Sequence, residues 1–358
     1  MQILILANHD IGVYNFRKEL IEQLLQNGHE VLISSPYGER IELLRQMGCK
    51  YEEVCMDRHG KNPLTERKLI SYYKKLITRV RPDIIFSYTI KPNLYGAMAA
   101  ASRKVSIVVN ITGLGLALNG VIWQKALTAF YKIAFRKVQT VFVQNEEGKD
   151  FFLKHNIAED RLKLLPGSGV NLEQFHVLDY PNDESIQFVF IGRIMKEKGI
   201  DQYLEMAEYI KKKYPQTYFH ICGFCEEEYD AQLKNLEEKG IITYHGLVMD
   251  VREVLAYTHC TVHPTYYPEG ISNILLESAA SGRPIITTDH CGCKEVVEDG
   301  INGYMVSQRD TRALINAIEK FINLTNEQRR QMGLAGRRKV EKEFDRQIVV
   351  EAYIRELE

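Results

Sequence analysis

The stretch QFVFIGRIMKEKGIDQYLEMAEYIKKKYPQTYFHIC, residues 187–222, decides the fold. It opens on an unalternating apolar run, Gln187–Gly192, and turns at the glycine. It then runs with helical periodicity over Asp201–Tyr214 and returns to a second apolar run at Tyr218–Cys222. A strand without polar alternation is buried on both faces, and a helix between two such strands is the repeating unit of a parallel sheet. Downstream, further short strands are expected at Thr243–His245, Cys260–His263 and Pro284–Thr288.

The same pattern precedes it. Gln2–Ala7, His29–Ser34, Ile84–Tyr88, Val105–Thr112 and Thr140–Gln144 read as strands, and Tyr14–Asn27, Arg40–Met47 and Leu64–Val80 as helices. The fold class expected is therefore α/β, with two Rossmann-like doubly wound domains. Ligands in such sheets bind outside the carboxyl ends of the strands, so two domains facing each other would offer two walls of one cleft. Asp179, Pro181, Asn182 and Asp183 break regular structure between the halves. The domains expected are 1–178 and 179–344, with a last helix at 345–358 able to cross back to the first domain.

At 358 residues, 45% hydrophobic and 26% charged, the chain has ample material for two cores. Its net charge of −1 conceals an asymmetry: residues 1–180 carry 24 Lys/Arg against 18 Asp/Glu, or +6, and residues 181–358 carry 22 against 29, or −7. A basic half suits an anionic partner, although a solvated surface of uneven charge gives the same count. Met1–Ala7 stops at Asn8-His9-Asp10 without a cleavage site, so no leader is expected, and no run reaches the roughly 18 apolar residues of a membrane span. The seven cysteines read as reduced thiols of a cytoplasmic protein. Cys222-x-x-Cys225 and Cys291-x-Cys293 lack zinc-finger spacing from one another, so no metal is expected there. The first strand leads into Asn8-His-Asp-Ile-Gly12, with a single glycine, and Gly113-Leu-Gly115 is not continued at the spacing of a dinucleotide fingerprint, which argues against hydride transfer.

Two segments of the second half carry chemistry. In Gly192-Arg-Ile-Met-Lys-Glu-Lys-Gly199, Arg193 lies just after a strand and Lys198 just before a helix. An arginine fork and a lysine point charge at one strand end suit a diphosphate. Two solvated loop residues are the plainer alternative. In Tyr266-Tyr-Pro-Glu-Gly-Ile-Ser-Asn-Ile-Leu-Leu-Glu277, Pro268 and Gly270 break the chain before a helix whose first turn holds Ser272 and Asn273. The unpaired N–H groups there attract anions. Glu269 precedes that helix and Glu277 is expected two turns inside it, with roughly 12 Å between them at a helical rise. One carboxylate can then meet a sugar while the other accepts from ribose hydroxyls.

Gly192-Arg193-x4-Lys198-Gly199 and Glu269-x7-Glu277, with Pro166-Gly-Ser-Gly-Val-Asn171 upstream and Gly292-x-x-Glu295 downstream, are similar to the donor site of the retaining glycosyltransferases of family 4, which have the two-domain GT-B fold. The resemblance covers nearly the whole chain. Arg58-His-Gly-Lys-Asn62-Pro63, Lys91-Pro-Asn-Leu-Tyr-Gly96 and Ile111-Thr-Gly-Leu-Gly115 resemble the branch that builds capsules, O-antigens and lipid-linked oligosaccharides. The resemblance implies a UDP-sugar donor, a hexose or N-acetylhexosamine, and an undecaprenyl-diphosphate-linked saccharide as acceptor. It implies that Arg193 and Lys198 hold the diphosphate, that Glu269 sits by the sugar, and that Glu277 binds the ribose. The amides of Gly270, Ile271 and Ser272 would meet the sugar and phosphates. Gly12, in the first strand-to-helix loop, would approach the diphosphate, with Thr112 and Gly113 near the anomeric carbon and His9, Arg58 and Lys91 on the acceptor side. Neither a protein nucleophile nor a cofactor is implied, and the chain has no Asp-x-Asp, which fits metal independence. Asn110-Ile-Thr-Gly-Leu-Gly115 lacks the histidine that many relatives carry near the donor sugar.

Lys61–Pro82 and Trp123–Val138 read as basic amphipathic helices, which suit an anionic membrane surface or, equally, a buried apolar face beneath a solvated basic one. With the +6 first half they suggest peripheral docking on the inner face of the plasma membrane. No nucleic-acid recognition motif accompanies them. A sugar-nucleotide epimerase of the same architecture and a non-catalytic sugar-nucleotide-binding subunit are the competing readings.

Overall fold

A computed structural model of the chain describes residues 1–56, 63–113, 121–182 and 184–358. It divides into two compact units: Met1–Gly169 with Arg346–Glu358, and Val170–Asp345.

The first unit is a seven-stranded sheet in the order β3-β2-β1-β4-β5-β6-β7, made of β1 (Gln2–Leu6), β2 (Glu30–Ser35), β3 (Lys50–Glu53), β4 (Ile84–Tyr88), β5 (Ser106–Ile111), β6 (Thr140–Val143) and β7 (Leu162–Leu164). Every pairing is parallel. Consecutive residues of β1 serve opposite cores: Ile3 and Ile5 pack with Ile33, Phe86 and Val108, whereas Leu4 and Leu6 pack with Ile85, Val109 and Leu76. Both faces need covering, so polar alternation is absent. The helices are α1 (Asp10–Gln26), α2 (Ile41–Gln46), α3 (Pro63–Val80), α4 (Ile90–Arg103), α5 (Val121–Ala134) and α6 (Glu146–Lys154).

The second unit holds β8 (Ile186–Ile191), α7 (Ile200–Lys213), β9 (Thr217–Cys222), α8 (Asp230–Glu238), β10 (Thr243–Tyr244), α9 (Val251–Leu255), β11 (Cys260–His263), α10 (Asn273–Ala280), β12 (Ile285–Thr288), β13 (Gly303–Val306), α11 (Thr311–Ile322) and α12 (Asn326–Glu343). Its six strands run parallel in the order β10-β9-β8-β11-β12-β13. The last helix, α13 (Arg346–Ile354), belongs to the first unit.

Two expectations are corrected. The boundary falls at Gly169/Val170, ahead of the Asp/Pro/Asn stretch. Val170 and Phe175 are buried with Leu275, Ala279 and Val340, and Arg337 donates to the Phe175 carbonyl at 2.6 Å, so residues 170–178 are fastened to the second unit. Pro181 is fastened there too, its carbonyl accepting from Asn326 at 3.0 Å. Helix α1 begins at Asp10 rather than Tyr14, because His9 caps it: its Nδ1 accepts the Gly12 N–H at 2.8 Å. The apolar face of α3 is already used, with Leu69, Tyr73, Leu76 and Ile77 in the core.

In both sheets the order reverses beside the first strand of the unit, between β1 and β4 and between β8 and β11. These switch points are where an open parallel sheet leaves a crevice at the carboxyl ends of its strands.

Candidate active site

In the second unit, Arg193 and Lys198 follow β8, while Glu269 follows β11, so the predicted trio stands on the two strands that flank the switch point. The turn after β8 is compact because glycines allow it. A Cβ on Gly199, at φ +79°, would lie 2.1 Å from the Pro264 carbonyl oxygen of the loop after β11. One on Gly223, at φ +145°, would lie 1.8 Å from the Gly192 carbonyl oxygen. The loops therefore touch backbone to backbone, which only glycine permits.

Lys198 ends a short 3-10 turn, Lys196–Lys198, and is only 6% exposed. Its Nζ donates to Glu269 Oε1. Burial would raise the Glu269 carboxyl, but Lys198 foremost, with His263 and Arg193, outweighs it and holds the group below the usual range. A buried charge needs such a partner. Arg193 is half-exposed, 3.7 Å from Glu226, and its guanidinium lies 5.0 Å from the centroid of the Tyr267 ring. The Lys198 ammonium lies 5.4 Å from the same ring. Two cations thus lie against one aromatic ring, next to one part-buried and one rim carboxylate.

The segment after β11 continues into α10, with Ser272 as its N-cap residue. It is seated by the loop after β12: Ser272 N–H donates to the Gly292 carbonyl at 2.9 Å, and a Cβ on Gly292 would lie 2.3 Å from the Gly270 carbonyl oxygen. Glu295 closes that loop by accepting the Gly292 N–H at 2.7 Å. Gly270, Ile271 and Ser272 are all buried, and the Ile271 side chain belongs to the core, so only backbone at 271 can face a ligand. Glu277 is the fifth residue of α10, one turn inside rather than two. The residues between Glu269 and Asn273 are not helical, so the helical rise separates Glu277 from the helix start by only about 6 Å.

In the first unit, His9 and Gly12 follow β1, Lys91 follows β4, and Thr112 and Gly113 follow β5, all at carboxyl ends of the sheet. Gly12 lies in the first turn of α1 and not in the preceding loop; a Cβ there would meet His9 Cε1 at 2.6 Å, so the His9 cap requires glycine. Lys91 is largely buried and donates to Glu66 at 2.6 Å. Thr89, just before it, has φ +72°, a strained backbone for a non-glycine residue. Thr112 is exposed and Gly113 has φ +136°. Arg58 lies outside the described residues. Asn110 is fully buried. It donates to Tyr353 Oη at 2.9 Å and accepts from Gln144 at 3.0 Å, so it serves a core network.

Sequence reading missed His263 and Tyr267. His263 closes β11, is 1% exposed, and its Nε2 lies 3.4 Å from Ser272 Oγ. Burial, and then the charge of Lys198, push its pKa down to about 3. The available signal was a histidine ending an apolar strand immediately before Pro264. Among the described residues no group of three His, Cys, Asp or Glu is gathered as a metal site, and no helix is long and apolar enough to cross a membrane.

Comparison with known proteins gives one match on each half. The family described as Glycosyl transferase 4-like matches residues 2–145, and Glycosyl transferases group 1 matches residues 178–339. The chain is 23% identical to the N,N'-diacetylbacillosaminyl-diphospho-undecaprenol alpha-1,3-N-acetylgalactosaminyltransferase of Campylobacter jejuni, over 99% of this chain and 98% of that one. It is 25% identical to the UDP-Gal:alpha-D-GlcNAc-diphosphoundecaprenol alpha-1,3-galactosyltransferase of Escherichia coli, over 72% of each. Among solved structures, a glycosyltransferase from Rickettsia africae superposes with a TM-score of 0.81 at 18% identity, covering 99% of this chain and 97% of that one. Anabaena Alr3699/HepE in complex with UDP gives 0.80 at 16%, covering 100% and 99%. With one family on each half and the two-sheet architecture throughout, the chain belongs to the family 4 glycosyltransferases of GT-B fold.

Proposed function

We propose that this glycosyltransferase moves a hexose or N-acetylhexosamine from a UDP-sugar to a saccharide carried on undecaprenyl diphosphate, with retention at the anomeric carbon and without a metal. The observation that carries the reading is the Lys198–Glu269 pair with Arg193 beside it, at the switch point of the second sheet. Two cations at the mouth of a helix N-terminus suit a diphosphate leaving group, whose charge grows as the glycosidic bond breaks. Lys198 and Arg193 then act where a metal would otherwise stand. On this reading Glu269 orients Lys198 and meets the sugar, and Glu277 accepts from the ribose. In the retaining reaction the leaving phosphate takes the acceptor's proton on the same face, so no protein nucleophile is needed. Two relatives named for diphospho-undecaprenol acceptors support that acceptor class.

The anionic membrane surface that such an acceptor implies would meet the first unit by charge rather than insertion. On α3, Arg67, Lys68, Lys75 and Arg79 are exposed above the buried apolar face. On α5 and the turn after it, Lys125, Lys132, Arg136 and Lys137 are exposed, with Ile133 among them.

The test is transfer from a panel of labelled UDP-sugars to a lipid-linked acceptor extract. Lys198→Ala is expected to lower kcat about 100-fold, the scale of losing one oxyanion-type contact. Glu277→Ala is expected to raise the donor KM about tenfold, as for a lost hydrogen bond to a charged group. Full activity in both variants would overturn the assignment. Release of an epimerised sugar nucleotide without acceptor, or UDP binding without transfer, would favour the epimerase or the non-catalytic subunit.

A further inference from the structure

Ser272 occupies the N-cap of α10, yet its side chain makes no capping hydrogen bond. A serine there ordinarily accepts from the second or third amide of its helix. Here Oγ faces His263 Nε2 at 3.4 Å instead, with both residues at most 2% exposed. Asp250, Asp310 and Thr325 do cap their helices in the same unit, so the arrangement is local to this site. The imidazole is buried beside Gly192 and the Phe190 ring, whose centroid lies 6.1 Å away at a tilt of 33°. Among the described residues His263 Nδ1 is buried without a hydrogen-bond partner, and the one polar contact of the ring nitrogens is with the serine.

We infer that His263 is a positioning residue that holds the Ser272 hydroxyl away from its own helix, leaving the Asn273 and Ile274 amides of α10 open to the phosphates of a nucleoside diphosphate. The inference rests on the donor-site reading. The Leu275 N–H already donates to the Ser272 carbonyl at 3.2 Å, so Asn273 and Ile274 supply the amides without an intrahelical acceptor, and such amides attract anions. A serine hydroxyl turned onto them would compete with a phosphate, and His263 removes the competitor by engaging it. Because the imidazole is neutral, it does this without adding a charge beside Lys198. Removing the imidazole lets the hydroxyl turn inward and weakens phosphate binding. Removing the hydroxyl as well frees the amides again.

The experiment is calorimetric titration of UDP into the full chain. His263→Phe is expected to weaken UDP about fivefold to tenfold, the range to which a serine cap's stabilisation converts. Adding Ser272→Ala to His263→Phe is expected to recover at least half of that loss on a logarithmic scale. A merely structural role predicts no such recovery. Where His263→Phe loses its cooperative melt, His263→Asn, too short to reach Oγ, is read in its place with the same expectations. UDP affinity within twofold of the parent in the single variant, or a double variant that binds no better than the single one, would overturn the inference. Lys198→Ala is titrated in parallel. If it loses UDP while the histidine variants do not, only the positioning role falls; if it too binds UDP normally, the donor-site reading falls and takes the inference with it.

Discussion

Lys198, Glu269 and His263 occupy one small volume, yet they differ in how far sequence reveals them. Lys198 and Glu269 are charged residues beside turn glycines, and charge at a strand end is visible in a linear pattern. His263 looks like the last residue of an apolar strand, and only the packing of the loops over β11 shows it under the ion pair. Its protonation has a consequence for stability. His263 is held at about 3 and His220 at about 4, both below the ordinary 6.5, chiefly by burial. His220 is further fixed by His245 at 3.0 Å and Gln187 at 2.9 Å. A group depressed in the folded state stabilises it above 6.5, and that stability drains away as pH falls through the folded pKa. Each histidine then costs up to about 1.4 kcal/mol per pH unit inside its window. The melting temperature is expected to fall steadily from pH 6.5 to 4.5, with a shallower slope in His220→Gln. A melting temperature flat over that range would contradict the burial of both rings.

Helix α10 had the right start but the wrong depth. Pro268 and Gly270 marked its approach, and the loop after β12 seats its N-cap Ser272 through Gly292. With Asn273 as the first helical residue, Glu277 is the fifth and stands one turn in. Helix α13 depends on contacts distant in sequence. Its sequence shows a terminal helix, while its value lies in what it meets. Tyr353 is fully buried, 4.9 Å from Phe142 and 5.0 Å from Phe86 between ring centroids, and its Oη accepts from Asn110. Arg346 pairs with Glu19 at 2.7 Å, and Glu356 accepts from Thr140 at 2.6 Å and Lys163 at 2.7 Å. The helix is therefore a structural part of the first unit. Tyr353→Ala is expected to destabilise that unit by about 3–5 kcal/mol, the scale of losing a core aromatic. Tyr353→Phe is expected to cost about 1–3 kcal/mol by leaving a buried amide unpaired. Chemical denaturation followed by fluorescence measures both, and equal stability of Tyr353→Ala and the parent would show that α13 does not hold the unit together.

Across the whole molecule, the +6 first half and the −7 second half are visible by counting. The fold shows that exposed positive charge of the first unit includes the outer faces of α3 and α5. If these faces meet an anionic bilayer, reversing Lys68, Lys75, Lys132 and Arg136 to glutamate should abolish cosedimentation with phosphatidylglycerol vesicles while leaving the melting temperature within about 2 °C. Binding to neutral vesicles as strong as to anionic ones would rule out docking by charge.

Hydrophobic patterning alone determined two parallel-sheet domains, because a strand buried on both faces must be apolar throughout and each crossover must be an amphipathic helix. The glycine-flanked charges carried the resemblance to glycosyltransferases, the family that the matches on both halves show. Strand order is different in kind. That β8 lies beside β11 is a pairing between segments some seventy residues apart, and it is this pairing that brings Lys198 to Glu269. Only the tertiary structure decided it, as it decided the true domain boundary and the place of His263. Each of these depends on which buried surfaces meet, and a linear pattern records that a surface is buried without recording its partner.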